Sequence, residues 1–399
     1  MKYAIYQVGT SEIATNAFAR KIGIDLITLS PPNKETISRG ILYAPEFSCF
    51  PFKILLGSLL QALDQGAQIF IIPTPKDIGA CQLADFGMAQ KYILEKTGKT
   101  FEMISLNSLN PADVTKKFKI YDDSITLKKV TEGLIVAAQK LSLMEEVETF
   151  YRKIYLSSKK QKAETFRTKW MKIIDKTDTI VDLYMLNDKI YSDFKKYPQI
   201  DIKNFLKIAV VGDIYTINEQ FINNNIFERL CDLGVYSEKG ISLNAFAGIN
   251  FGINPEDILL NNKARVYLRH NVGAFAQETI RSTIKYADKG FDGIIHIYPF
   301  SCMPEITVRN ILPKVSSDYN IPILYLPIDE QTGDAGFTTR VEAFVDLINI
   351  RKSKNNFAST NQNHNTKIEG NTNSNNADND NNNDTNISKI NTNKSSNVE

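Results

Sequence analysis

Thiol, imidazole and indole side chains are scarce in this chain of 399 residues, which has four cysteines, three histidines and one tryptophan. Four cysteines in so long a chain exclude a disulfide-built scaffold, and a reducing compartment argues against pairing them. No apolar run approaches the roughly 20 residues that a membrane-spanning helix needs. The first residues suggest a strand and a turn, without the charged start and apolar stretch of a signal peptide, so we expect a cytoplasmic protein.

The net charge is also small, because the 47 Lys and Arg residues are nearly balanced by 45 Asp and Glu residues, which gives a formal net charge of +2. This balance gives no electrostatic reason to expect nucleic acid or a membrane surface as a partner. The GxxxxGK[ST] phosphate-binding loop is missing as well. If ATP is used in this protein's chemistry, we expect a partner to hydrolyse it.

The sequence predicts an α/β protein with two Rossmann-like parallel-sheet domains. Strand and helix patterns alternate over residues 1–110, and the alternation returns over residues 205–351. The second stretch begins with LKIAVVGDIY, a continuous apolar run typical of a strand buried in a parallel sheet. With 43% hydrophobic residues, the chain can bury more than one core.

Two further segments differ in character from these domains. Residues 111–204 are predicted to form a helical arm or cap, because Glu132 to Tyr197 keeps helical apolar spacing and contains no proline. We expect two or three long helices there, with Trp170 in their core and the Lys-rich stretch around residue 160 on a solvated face. Residues 352–399 are Asn-rich and nearly devoid of apolar groups, which predicts a disordered tail without chemistry.

Three of the cysteines recur in one local setting. Each is predicted to follow a strand and to precede a helix, where unpaired N–H groups and the helix dipole favour a thiolate. The cysteines are Cys49, Cys81 and Cys302, and the strands predicted before them are Ile41 to Ala44, Ile69 to Ile72 and Gly293 to Tyr298.

Ligands of open α/β sheets bind in the crevice beyond the carboxyl ends of the strands. Three thiols in one such crevice predict a metal site, either an iron–sulfur cluster with one open iron or zinc with a free position. The fourth cysteine, Cys231, lies in IFERLCDLG on the apolar side of a predicted helix, and we interpret it as a buried hydrophobic residue.

Acid–base candidates lie close to these cysteines. Glu46 and Glu305 are each three residues from a cysteine and could relay protons, although Glu305 is equally explained as a first-turn carboxylate stabilised by its helix. His270 follows a predicted strand, Arg265 to Leu268, and is the candidate catalytic imidazole. His296 lies in mid-strand and is interpreted as a core residue.

Charged residues elsewhere have weaker assignments. Lys53 lies one turn into the helix after Cys49 and could face the metal group or a phosphate. Asp329, Glu330 and Arg340 follow the last predicted strand and could form an ion pair that fixes its loop.

Sequence motifs also carry a family resemblance. PEFSCFPFK around Cys49, GACQLADFG around Cys81 and YPFSCMPE around Cys302 resemble the cluster-binding signatures of the 2-hydroxyacyl-CoA dehydratase family. The similarity is greatest to its single-chain branch, described as CoA-protein activase or 2-hydroxyglutaryl-CoA dehydratase-like. VGDIYTIN, HNVGAFAQE and DEQTGDAGFTTRVEAF resemble further blocks, so the likeness covers most of residues 1–350.

The resemblance implies a 4Fe–4S cluster held by Cys49, Cys81 and Cys302. It further implies a separate ATP-dependent iron–sulfur activator that delivers one low-potential electron. In the dehydratases, the reduced cluster forms a ketyl radical from a 2-hydroxyacyl-CoA, which then loses water. We therefore expect radical dehydration or reduction of an acyl-CoA or another small substrate, in a homodimer or heterodimer. The alternative is a non-catalytic electron carrier or cluster scaffold that serves a partner enzyme.

Overall fold

The computed structural model of the protein describes residues 1–74, 79, 81–243, 255–270 and 272–369, with side chains for all of these except 255 and 355–369. Residues 1–349 form one compact unit, and a second unit begins at residue 350. The first unit contains every strand described below. None of the described helices is long and apolar enough to cross a membrane.

Two four-stranded parallel sheets organise the compact unit. The first has the order β2-β1-β3-β4 and the second the order β6-β5-β7-β8. The strands are β1 Lys2–Ile5, β2 Asp25–Ile27, β3 Ile69–Pro73, β4 Glu102–Leu106, β5 Leu206–Gly212, β6 Val235–Lys239, β7 Gly293–Pro299 and β8 Ile323–Ile328. In each sheet the second strand in sequence pairs with one edge of the first strand, and the third strand pairs with its other edge. This order confirms the two predicted Rossmann-like sheets.

Helices connect the strands of both sheets. In the first half they are α1 Glu12–Ile22, α2 Lys34–Tyr43, α3 Phe50–Asp64 and α4 Phe86–Glu95. In the second half they are α9 Ile214–Asn218, α10 Ile226–Asp232, α11 Pro255–Tyr267, α12 Ala276–Asp288, α13 Met303–Asp318 and α14 Asp334–Glu369. A single hydrophobic cluster includes side chains of both sheets, such as Phe70 of β3, Val210 of β5 and Ile295 of β7.

The predicted helical arm is present between the two sheets in sequence. It consists of α5 Pro111–Phe118, α6 Leu127–Ser157, α7 Lys160–Lys176 and α8 Ile180–Phe194. Trp170 is buried in the cluster that α6, α7 and α8 form, and its indole N–H donates to Asp193 Oδ2 at 3.0 Å. Its assignment to the core is confirmed.

The strand predicted before Cys49 is wrong, because residues 41–43 belong to helix α2. The side chain of Asn33 accepts hydrogen bonds from the N–H groups of Glu35 and Thr36 and so starts this helix. The apolar run that suggested a buried strand is largely exposed, with Leu42 76% accessible. Short apolar runs do not distinguish strand from helix, and the cap decided between them here.

Three other boundaries differ from the sequence prediction. Residues 265–267 end helix α11 instead of forming a strand, and β6 was not predicted. Helix α14 continues to Glu369, beyond the expected start of the disordered tail at 352, and no proline or glycine occurs between Phe337 and Glu369. Residues 370–399 lie outside the described residues.

Helices α2 and α3 pack unusually closely, and their crossing fixes the turn that carries Cys49. A Cβ atom at Gly40 would overlap the carbonyl oxygen of Lys53, and one at Gly57 would overlap that of Thr36. Glycine at these two positions therefore allows the backbones to touch.

We expect Gly40→Ala to destabilise the protein by about 1–3 kcal/mol or more, because the two helices must move apart. The midpoint of urea unfolding measures this effect. The matched control is Gly336→Ala in α14. A Cβ atom at this position meets nothing within 4 Å, so the substitution should stabilise the helix by about 0.5–1 kcal/mol. Equal midpoints for Gly40→Ala and the wild type would show that the crossing tolerates a wider spacing.

Candidate functional site

Three cysteines that are distant in sequence line one cavity. Cys49, Cys81 and Cys302 all contribute to the wall of an internal space of about 250 Å³. None of the three forms a disulfide. The structure therefore brings together the thiols that the sequence singled out.

The cavity lies at the carboxyl ends of the two central strands of each sheet. Tyr6 and Val8 follow β1, Asp213 follows β5, and all three line it. Cys81 comes after β3 and Cys302 after β7. In both sheets the chain changes direction between these strands, which is where ligands of open α/β sheets bind.

Each cysteine is the N-cap residue of a helix or 3₁₀ turn. Cys49 precedes α3, Cys302 precedes α13, and Cys81 precedes the 3₁₀ turn Gln82–Asp85 that leads into α4. A proline in the first turn of α3 and of α13 suits these helix starts. The helix starts predicted from the sequence are confirmed, although Cys49 follows a helix and not a strand.

Backbone N–H groups in these first turns face the sulfur atoms. They belong to Phe52, Leu83 and Glu305, and each lowers the pKa of the nearest thiol. None makes a regular capping hydrogen bond to sulfur. The three helix starts therefore direct partial positive charge at the thiols.

Burial opposes ionisation of the thiols in this cavity. It raises the pKa of Cys49 to about 12 and also raises the pKa values of Cys81 and Cys302. The charge of Asp213 raises all three pKa values further. Burial likewise raises the pKa of Asp213 to about 6, and the neighbouring Glu305 adds to that shift. Without a cation, the thiols are thus held protonated.

Three thiols and two carboxylates in one wall are groups of the kinds that bind metal cations. The described wall contains three thiols and two carboxylates but no Lys or Arg, so a cationic core would be the compensating charge. Within the described ranges, no three His, Cys, Asp or Glu side chains are grouped to hold a metal ion. The thiols line the space without converging on a single-ion site.

Glu305 connects the cavity to a buried histidine. The Glu305 side chain is 1% exposed, lines the cavity, and lies 2.8 Å from His296 Nε2 through its Oε2 atom. The hydroxyl of Thr279 donates to Glu305 Oε1 at 3.0 Å. His296 is in the core, as predicted from its strand, but it also supports a cavity carboxylate.

Two predicted acid–base residues lie elsewhere. Glu46, in the turn between α2 and α3, and His270, after α11, are both exposed, and neither lines the cavity. The structure therefore brings only Glu305, of the three proposed acid–base groups, together with the thiols.

Lys53 and the charged residues that follow β8 have other hydrogen-bond partners than those predicted. Lys53 Nζ donates to Glu330 Oε1 at 2.6 Å, so this buried ammonium is held by a carboxylate and not by a phosphate. Arg340 donates to the carbonyl oxygen of Tyr325, and Asp329 accepts from Thr332 within its own loop. The proposed pairing among Asp329, Glu330 and Arg340 is absent from the described contacts.

Sequence reasoning missed Asp213 and Tyr215 as cavity residues. Asp213 accepts from the Thr216 N–H at 2.9 Å and begins α9, and the buried Tyr215 lines the same wall. The hydroxyl of Tyr215 has no hydrogen-bond partner among the described residues. Their signal was the sequence Gly-Asp-Ile-Tyr at the end of a buried strand, where polar residues reach the carboxyl edge of the sheet.

Cys231 is confirmed as a core residue. It is 5% exposed and packs among the side chains of the helical arm, and it does not line the cavity. Burial raises the pKa of its thiol to about 12, as it does for Cys49. It is therefore a matched reference for the cavity cysteines.

Comparison with known proteins yields one family. A family model described as CoA enzyme activase uncharacterised domain matches residues 11–238, more than half of the chain. The matched segment contains Cys49, Cys81 and Asp213 and stops before Cys302. The search of curated proteins returned no match.

Proposed function

The chain belongs to the family described as CoA enzyme activase uncharacterised domain, and from this premise we propose that it is an iron–sulfur protein acting in acyl-CoA chemistry. Cys49, Cys81 and Cys302 would hold a 4Fe–4S cluster that receives a low-potential electron from an ATP-dependent activator. The proposed reaction is radical dehydration or reduction of an acyl-CoA or another small substrate. The convergence of three thiols on one cavity carries this proposal.

The charge distribution of the cavity supports the cluster. A bound cluster supplies one-electron chemistry and, with three thiolate ligands, one iron open to an oxygen ligand. The chain supplies three sulfurs at helix N-termini, and backbone N–H groups close to sulfur tune a cluster's potential. Most of the remaining wall is apolar, and Cys302 is the most buried of the three cysteines.

Proton transfer is assigned to Glu305. Its carboxylate lines the cavity and forms hydrogen bonds with His296 and Thr279, which fix its position. A positioned carboxyl group can protonate a leaving hydroxyl. This role, predicted from its spacing to Cys302, remains a proposal.

Exposed apolar side chains around the cysteines support docking of an electron-donating partner. Phe47 is two residues before Cys49, and Phe300 and Met303 flank Cys302; their exposed fractions are 80%, 60% and 49%. Apolar groups that are exposed close together mark interaction surfaces, and all three lie within two residues of a cavity cysteine. We assign them to the activator interface.

A second candidate is a non-catalytic electron carrier or cluster scaffold. The cavity, at about 250 Å³, is slightly smaller than the roughly 300–1,000 Å³ of ligand pockets, and a cluster would occupy part of it. Its described wall also offers no Lys or Arg for the phosphates of CoA. These two observations favour the carrier over an enzyme that encloses an entire acyl-CoA.

An electron paramagnetic resonance experiment separates the two candidates. Protein purified without oxygen is reduced at low potential and then mixed with a 2-hydroxyacyl-CoA, with the acyl-CoA lacking the hydroxyl as control. The enzyme proposal predicts that the reduced signal changes only with the hydroxyacyl compound and that its dehydrated product appears by mass spectrometry. An unchanged signal and no product with a range of acyl chains would leave the carrier as the supported function.

A further inference from the structure

A second cavity adjoins the cysteine-lined one and has a different chemical character. It measures about 150 Å³ and lies between one face of the first sheet and helices α1 and α6. Ile5, Leu26, Ile71 and Leu106 form the sheet side. Ala14, Phe18, Ala19, Leu134, Ala137 and Ala138 form the helix side.

The wall of this cavity presents almost no polar groups. Its two hydroxyl side chains are those of Ser11 and Thr15. The N–H of Val8 donates to Ser11 Oγ at 3.0 Å, and Thr15 Oγ1 donates to the carbonyl oxygen of Glu12 at 3.0 Å. Both hydroxyls therefore have local partners, and the space suits only an uncharged, aliphatic group.

Small side chains on the two helices leave this space open. Ala14, Ala19, Ala137 and Ala138 occupy positions from which a Leu side chain would reach into it. Protein interiors are normally packed without such voids, because an empty cavity reduces stability. Leu109 in the wall is 41% exposed, so the space opens to the surface and an apolar group can enter it.

The two cavities meet at a common wall. Ile5, Ser11, Thr15, Leu109 and Leu141 line both. The Tyr215 hydroxyl in the cysteine-lined cavity has no hydrogen-bond partner among the described residues, so a polar group bound there would have an apolar space on the other side of this common wall.

We propose that the second cavity binds the aliphatic chain of the compound whose reacting end lies in the cysteine-lined cavity. Calling that compound the substrate rests on the proposed function, whereas binding of the chain does not. The site selects an uncharged, unbranched or lightly branched hydrocarbon chain, and it leaves any CoA moiety outside the second cavity.

Calorimetric titration with 1-butanol, 1-pentanol, 1-hexanol and 1-octanol tests the site on the purified full chain. Each added methylene should raise the affinity about three- to fourfold until the cavity is filled, because each is removed from water. An affinity that does not change with chain length would overturn the proposal.

Substitutions locate the binding. Ala14→Leu and Ala138→Leu should each lower the affinity for 1-hexanol at least tenfold by filling the cavity. Ala112→Leu, at an exposed position of α5, should leave it unchanged. The proposal fails if neither filling variant, as a folded protein, binds 1-hexanol more weakly than the wild type.

Iron analysis of the same samples separates this inference from the proposed function. Protein that contains iron and sulfide but binds no alkanol retains the proposed function and overturns the chain site. Protein without iron that binds alkanols with the expected length dependence supports the chain site and contradicts the cluster.

Discussion

Cys302→Ser is expected to lower the iron and acid-labile sulfide content from about four of each per chain to less than one. The serine hydroxyl is a far weaker ligand than a thiolate, and only three thiols line the cavity. Cys49→Ser and Cys81→Ser should have the same effect, because the three helix starts contribute equivalent ligands. Metal analysis of variants purified without oxygen measures the change.

The control for these variants is Cys231→Ser. Cys231 is buried like Cys302, and burial raises its pKa to about 12 as it does for Cys49, but it packs within the arm. Its iron content should equal that of the wild type. Unchanged iron in Cys302→Ser, or an equal loss in Cys231→Ser, would contradict the ligand assignment, since the second result indicates general unfolding.

Glu305→Gln is expected to reduce turnover about 100-fold or more while the iron content stays at the wild-type level. General acid–base groups contribute roughly 10²- to 10⁴-fold to enzymatic rates, and the amide cannot transfer a proton. The substitution keeps the size of the side chain and its ability to accept from Thr279. Single-turnover formation of the dehydrated product by reduced protein measures the rate.

A second variant at the same position separates catalysis from folding. Glu305→Ala removes the partner of two buried groups, His296 Nε2 and Thr279 Oγ1, and should cost about 1–3 kcal/mol in urea unfolding. If Glu305→Gln turns over as fast as the wild type, Glu305 has a structural role and does not transfer a proton.

Much of the fold follows from local sequence patterns. Buried strands such as β5 and β7 are continuous apolar runs, and parallel order follows from their alternation with helices. The same logic located Cys81 and Cys302, because each comes after a strand and before a helical turn. The topology of the two sheets therefore made the placement of Cys81 and Cys302 at this edge predictable, whereas Cys49 reaches the cavity from the turn between α2 and α3.

Other features depended on tertiary contacts that local patterns do not contain. The run at 41–43 resembled a strand, but the Asn33 cap and the close crossing at Gly40 make it a helix. Lys53 seemed available to a phosphate, and only the fold shows that Glu330, which is 277 residues away, binds it. Contacts between distant segments decide such pairings.

Tyr215 and the second cavity illustrate the same limit at the site. The sequence shows that polar residues follow β5, but the absence of a described partner for the Tyr215 hydroxyl depends on packing from both halves of the chain. A cavity is the space left by many side chains together, so alanines at 14 and 138 carry no signal until α1 and α6 are placed against the sheet.

Counting iron, acid-labile sulfide and zinc per chain in wild-type protein purified without oxygen tests the central claim most directly. About four irons and four sulfides, with a paramagnetic signal after low-potential reduction, are the predicted result. Zinc without sulfide, or neither metal in protein reconstituted with iron and sulfide, would contradict the three-cysteine cluster and the redox function built on it.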